Sequence, residues 1–329
     1  MSELNNPLLK VRGLSTHFFT GNGVVHAVDD VSLTVDKGKV VGLVGESGCG
    51  KSVTSLSIMR LVASPGKIVK GEIIFEGNDL LKYSKKKMCE VRGKDISMIF
   101  QEPMSSLNPV YTVGRQVSEA LFAHNKNMKK DEARKEVIRT FDLVGIPEPE
   151  KRFDVYPHQL SGGLCQRIMI AMALICNPKL LIADEPTTAL DVTIEAQIIR
   201  LMKDLQDRLN TSIIMITHNL GVVAEICDDV YVMYAGQVVE HTNVFDLFDH
   251  PMHPYTIGLL NSVPSKNAGA DTGRLFSIKG MVPNMLYPPN GCRFNPRCSE
   301  ASEICRKKSP ELIDTGNGHY VRCFKCMEK

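Results

Sequence analysis

"GESGCGKS" occupies residues 45–52, directly after the apolar run "KVVGLV" at 39–44 and ahead of the helix-like "VTSLSIMRLV" at 53–62. The eight residues fit G-x-x-x-x-G-K-[S/T], and a strand before with a helix after is the context that turns this pattern into a phosphate loop. Small residues let backbone N–H groups wrap a phosphate, and the helix N-terminus adds its dipole. Gly45, Glu46, Ser47, Gly48, Cys49, Gly50, Lys51, Ser52 and Val53 are therefore the expected contacts to ATP or GTP. Lys51 spans the β- and γ-phosphates and the Ser52 hydroxyl reaches Mg²⁺.

Outward from that loop, "LLIAD" (180–184) and "SIIMIT" (212–217) are further short apolar runs separated by longer helical patterns. Alternation of this kind predicts an α/β core with a mostly parallel sheet. The first run delivers Asp184 to a metal, and Glu185 beside it is placed to polarise an attacking water. From about 103 to 160 strand signals are sparse and two helix-length stretches suggest a helical insertion. After residue 250, Pro, Gly and Asn punctuate the chain, so a loop-rich tail is expected over 251–329 behind a nucleotide-binding domain over 1–250.

The chain has 329 residues, a net charge of +2 and 43% hydrophobic residues, which argues against a strongly basic nucleic-acid binder and against a disordered chain. The longest apolar run, "IMIAMALIC" at 168–176, is far below the roughly 18 residues of a membrane span. The amino terminus lacks a basic segment followed by an apolar one, so a reducing compartment is expected. Five of the ten cysteines fall within the last 38 residues. In a reducing compartment such a cluster points to a metal site before a disulfide frame. Their spacing, C-x5-C-x6-C-x17-C-x2-C, leaves the metal open, because only Cys323 and Cys326 form a zinc-type knuckle.

The phosphate loop, Gln101, "LSGG" at 160–163, "ADEP" at 183–186, "TALD" at 188–191 and His218 stand in an order that resembles an ABC transporter nucleotide-binding subunit, over roughly residues 8–250. The resemblance implies a P-loop NTPase cassette: a RecA-like core with an antiparallel β subdomain and a helical subdomain. It implies that Phe18 stacks on adenine, unless that ring is a core aromatic, and that Gln101 touches Mg²⁺ and the attacking water. Ser161, Gly162 and Gly163, with Gln166 behind them, would contact ATP held by an opposite subunit. Asp191 would couple the two sites and His218 would align the γ-phosphate and the water, unless it is a structural histidine. Where the family most commonly has Gln after the second glycine, this chain has Leu164.

"HPMHPYTIGLL" (250–260) followed by "GCRFNPRC" (291–298) resembles the carboxy-terminal extension of oligopeptide/dipeptide importer ATPases, a group with nickel-uptake relatives. That likeness covers roughly residues 248–323. It implies an ATP-hydrolysing importer subunit, peripheral on the cytoplasmic face of the inner membrane. Its implied partners are a paralogous ATPase in a heterodimer, two transmembrane permease subunits and an extracytoplasmic solute-binding protein, with no nucleic acid. It also implies a 4Fe-4S cluster on Cys292, Cys298, Cys305 and Cys323, with Zn²⁺ as the alternative and Cys326 competing for the fourth position. A nickel-complex importer, or a soluble ABC ATPase acting on nucleic acid or ribosomes, are the other functions that fit.

Overall fold

A computed structural model describes residues 6–101, 106–188, 191–262 and 277–327. The start of the expected helical insertion at 103–105, Ala189 and Leu190 of the TALD stretch, and residues 263–276 of the expected tail lie outside the described residues. In chain order the strands are β1 (Leu9–Thr20), β2 (Gly23–Val35), β3 (Val40–Val44), β4 (Gly66–Phe75), β5 (Asn78–Asp79), β6 (Ile96–Ile99), β7 (Leu180–Asp184), β8 (Ser212–Thr217), β9 (Asp229–Tyr234), β10 (Gln237–Asn243), β11 (Ile313–Asp314) and β12 (Tyr320–Val321). The chain divides into two compact units. Unit 1 collects the described parts of Met1–Val35, Val40–Leu81 and Ile216–Lys329, and unit 2 those of Asp36–Lys39 and Lys82–Met215.

In unit 1, β1, β2, β4 and β5 form an antiparallel sheet in the order β2-β1-β4-β5. Leu9 lies opposite Val35 on one side and Phe75 on the other. The β1–β2 register shifts between Val11 and Leu14, where Gly13 takes a positive φ of 53° and bends the strand. A second set of strands runs β11-β12-β10-β9-β3, with β3 and β9 parallel. Every residue of β3 is buried, as expected of a strand covered on both faces.

The tail continues this sheet. Glu240 of β10 faces Val321 of β12, and His241 faces Tyr320. Glu240 has no exposed surface; its carboxylate accepts hydrogen bonds from the backbone N–H of Met252 (2.7 Å) and His253 (2.9 Å) and lies 2.7 Å from His319 Nε2. Burial opposes its charge, but the bonds from His319, Met252 and His253 outweigh that and hold its carboxyl below the usual range. Around it Tyr234, Tyr255 and Phe294 pack ring against ring, with centroids 4.6–5.5 Å apart, so residues before and after 250 share one core.

In unit 2, β6 and β7 pair in parallel, Ile96 opposite Leu180 and Ile99 opposite Ala183, and β7 lies between β6 and β8. The helices Val113–His124, Lys130–Leu143 and Gly162–Leu174 pack on one another around Val117, Val137 and Phe141. The helix Val192–Leu209 buries Ile198, Ile199, Met202 and Leu205, an i, i+1, i+4, i+7 stripe that gives it one apolar face.

His241 and His253 of unit 1 are both pushed down to about 4, first by burial. Unfolding returns them to about 6.5, so the unfolded chain binds more protons between those values. The stability they contribute is complete above pH 6.5 and is lost as pH falls towards 4. Melting of the chain should therefore hold level from pH 7.5 to 6.5 and then lose stability on the order of 1 kcal/mol per pH unit per histidine down to pH 5. A flat profile would show that these rings titrate in the fold as they do in the unfolded chain.

Candidate functional site

The loop 45–50 leaves the end of β3 and runs into the helix Lys51–Ile58. Two of its glycines are demanded by what lies behind them. A Cβ on Gly45 (φ 152°) would stand 2.2 Å from the Met233 carbonyl, and one on Gly50 (φ 106°) would stand 2.4 Å from the Ala27 carbonyl. The loop is thus pressed on β9 of its own sheet and on β2 of the antiparallel sheet, while Ser47 and Gly48 at its tip are exposed. The buried Lys51 ammonium donates to the carbonyls of Gly45 (2.7 Å) and Glu46 (3.1 Å). Gly236 N–H closes the back of the loop on the Cys49 carbonyl at 2.8 Å. Cys49 is buried, which pushes its thiol up. Ser52 and Val53, at the start of the helix, are half-buried.

Glu46 is held at three points. Its N–H donates to the Tyr255 hydroxyl (2.9 Å), its carbonyl takes Lys51, and its carboxylate receives both nitrogens of the Arg297 fork at 2.6 and 3.0 Å. Arg293, buried in the same segment, donates to the Ala235 carbonyl and to Asp29. No motif in the sequence pointed to Tyr255, Arg293 or Arg297. The only trace of them is that "HPYT" and "CRFNPRC" are the two segments that carry the likeness in the tail.

Unit 2 brings Gln101 and Glu185 together: Gln101 Nε2 donates to Glu185 Oε2 at 3.1 Å, and Thr188 donates to the same oxygen at 2.9 Å. Glu185 follows β7 with φ 48°, so the chain turns sharply after Asp184, which is 5% exposed. Ser161 caps the helix Gly162–Leu174 by accepting from Leu164 N–H at 3.4 Å, leaving Ser161 and Gly162 exposed and Gly163 half-buried against Ile194. Gln166 points into the interior and is 1% exposed. Asp191 caps the helix Val192–Leu209 from an exposed position. In unit 1, His218 is exposed at the end of β8, Phe18 is half-buried against Gly66, and Phe19 is the open ring of the pair, with Lys67 Nζ 5.6 Å from its centroid.

Residues 28–188 match the family described as ABC transporter, and residues 239–305 match the one described as oligopeptide/dipeptide transporter, C-terminal region. The oligopeptide transport ATP-binding protein AppD of Bacillus subtilis is 54% identical, over 98% of this chain and 98% of its own. The corresponding figures are 50%, 98% and 94% for OppD of Escherichia coli, and 51%, 96% and 94% for the dipeptide transport ATP-binding protein DppD of Haemophilus influenzae. The chain belongs to the ABC transporter family.

Solved ABC cassettes carry the same fold. One, a dimeric cassette in a post-hydrolysis state bound to ADP and Pi, is 26% identical with a TM-score of 0.65 and covers 72% of this chain and 98% of its own. Another, cbiO1 from Clostridium perfringens, part of the transporter complex cbiONQ, is 31% identical with a TM-score of 0.63, over 74% and 92%. This ABC chain is thus an ATP-binding, ATP-hydrolysing cassette.

In the tail of this ABC chain, Cys292, Cys298, Cys305 and Cys323 line one cavity of about 190 Å³, floored by Phe294 and His253. Cys326 borders a different groove, with Met252 and Asp314. Burial pushes the Cys292 thiol up to about 11 and raises Cys298 and Cys323 in the same sense. Among the described residues no three of His, Cys, Asp and Glu are grouped closely enough to hold a metal ion.

Because the Gly50 Cβ would meet backbone, Gly50→Ala cannot be relieved by a side-chain rotation and must push the loop off the sheet. Affinity for MgATP, read by calorimetry, should fall about tenfold or more, an effect of the size of one lost charge-assisted bond. Unchanged affinity would show that the loop's seat does not matter for nucleotide.

Proposed function

We propose that this ABC ATPase drives import of di- or oligopeptides, working peripherally at the cytoplasmic face of the inner membrane. The reading rests on one observation: a cassette and an oligopeptide/dipeptide-type C-terminal region occur on one chain whose relatives, matched end to end, are named for oligopeptide and dipeptide transport. Two transmembrane permease subunits would carry the solute, supplied by an extracytoplasmic binding protein. Among the described residues no helix is long and apolar enough to cross a membrane. Purified with its permeases in vesicles, the chain should couple ATP hydrolysis to accumulation of labelled dipeptide; accumulation of a nickel complex and not of peptide would reassign the solute.

At the ATP site, Lys51 would exchange the carbonyls of Gly45 and Glu46 for β- and γ-phosphate oxygens. Ser52, Gln101 and Asp184 are the proposed Mg²⁺ contacts, and the ion when bound neutralises phosphate charge. Glu185, oriented by Gln101 and Thr188, accepts the proton of the attacking water as its oxygen bonds to the γ-phosphorus and the bond to the bridging β–γ oxygen breaks. His218 keeps water and phosphate in line, and the adenine stacks on Phe18 beside the open Phe19. Ser161, Gly162 and Gly163 would offer a helix N-terminus to the ATP of a paralogous partner ATPase, with Asp191 linking the two sites. Gln166 is buried and serves that contact only through its helix. Glu185→Gln should keep MgATP binding and lower turnover by about 10² or more; near-normal turnover in the assembled transporter would remove Glu185 from the role of base.

In the tail, the four thiols around one cavity fit a 4Fe-4S cluster, which takes one thiolate per iron. Such a cluster would tie Cys292, Cys298, Cys305 and Cys323 together and contribute folding free energy to a segment with few apolar residues. Oxygen-free purification should yield brown protein with iron and acid-labile sulfide. Cys326→Ser should keep that colour and Cys323→Ser should lose it. Zinc, or no metal, would overturn the cluster.

A further inference from the structure

The phosphate loop of this chain carries an acid, Glu46, as its second residue, five positions before the lysine that must meet the phosphates. A free carboxylate there works against the site in two ways. It repels the anion the loop is built to receive, and it competes for the Lys51 ammonium, whose nitrogen already lies 3.1 Å from the Glu46 carbonyl. The tail removes both liabilities. Arg297 grips the carboxylate with both arms of its guanidinium and is itself fixed, with its side chain 4% exposed, by the carbonyls of Lys279 (3.0 Å) and Ile278 (3.3 Å). Tyr255, fully buried, takes the Glu46 N–H, so that this one amide is turned back into the protein while the exposed tip at Ser47 and Gly48 is left for ligand.

We propose that Arg297, seconded by Tyr255, is a positioning residue for ATP binding: it neutralises Glu46 and holds the phosphate loop in the shape that receives the triphosphate. This deepens the phosphate-loop reading and rests on it. A bidentate pair whose cation is sequestered from water is of the strong kind, because removing either member strands the other. The effect on nucleotide is transmitted through Glu46 alone. Arg297 itself touches no nucleotide.

The experiment is a double-mutant cycle on the full chain, with the MgATP dissociation constant as readout and hydrogen exchange of amides 45–51 alongside it. Arg297→Met should weaken MgATP about tenfold by leaving the Glu46 carboxylate unneutralised, and adding Glu46→Gln, which removes that carboxylate, should recover most of the loss. Arg297→Lys, which keeps the charge without the fork, should recover part of the loss. Tyr255→Phe, which deletes one oxygen and leaves the ring packing, should weaken binding in the same direction and raise exchange at Glu46; it serves if Arg297→Met does not fold. A double variant as weak as Arg297→Met or weaker, or unchanged affinity in Arg297→Met, overturns the proposal. Lys51→Ala separates the two levels: if it abolishes MgATP binding while Arg297→Met leaves it intact, only this inference fails, and if Lys51→Ala binds normally the phosphate-loop reading fails first.

Discussion

A loop that receives an anion must turn its amide hydrogens outward, so everything that fixes its shape has to come from behind. In this chain the support is built from carbonyls and from the tail. Met233 and Ala27 press on the two glycine positions, Gly236 closes on Cys49, and Tyr255 and Arg297 take hold of Glu46. None of these partners lies within the motif that makes the loop recognisable. The motif supplies permissive backbone, and the surrounding fold supplies the force that makes one conformation win.

What could be read from sequence divides along the same line. The strands β3, β7 and β8, and the positions of the phosphate loop, Asp184, Glu185 and His218 at their ends, were legible because each is a local pattern in which strand, turn and proposed site residue are neighbours in the chain. The packing of Arg297 on Glu46 spans 251 residues and leaves no periodic trace. The same holds for Glu240, which reads as an ordinary polar position of a strand and is in fact the buried post to which Met252, His253 and His319 are tied. Gln166 shows the limit within a motif: it follows the "LSGG" stretch closely enough to look like part of the contact, yet the turn of its helix carries it inside. The pair Phe18 and Phe19 shows another, since neighbouring strand residues face opposite ways and only the fold says that Phe19 is the open one.

The thiols illustrate how a spacing pattern can be silent about geometry. Cys323 and Cys326 look like the knuckle of the set, with two residues between them, but Cys323 lines the cavity of Cys292, Cys298 and Cys305, whereas Cys326 borders the groove of Met252 and Asp314. Cys292 and Cys298 each sit beside an arginine of the loop support, Arg293 and Arg297. The backbone that shapes the thiol cavity is therefore the same backbone that aims the two guanidinium groups.

The order in which these partners occur along the chain has a kinetic meaning. Asp29, Asp30 and Glu46 leave the ribosome early, whereas Arg293, Arg297 and Arg322 come some 250 to 290 residues later. Domains begin to fold from the N-terminal side during synthesis. A nascent chain that has already made β1, β2 and the phosphate loop must keep three acidic anchors in water, and the outer edge of β10 unpaired, until β12 arrives. The nucleotide loop of this protein is made some 250 residues before the arginine that secures it, so its aggregation-exposed interval lasts from its own synthesis until that partner emerges.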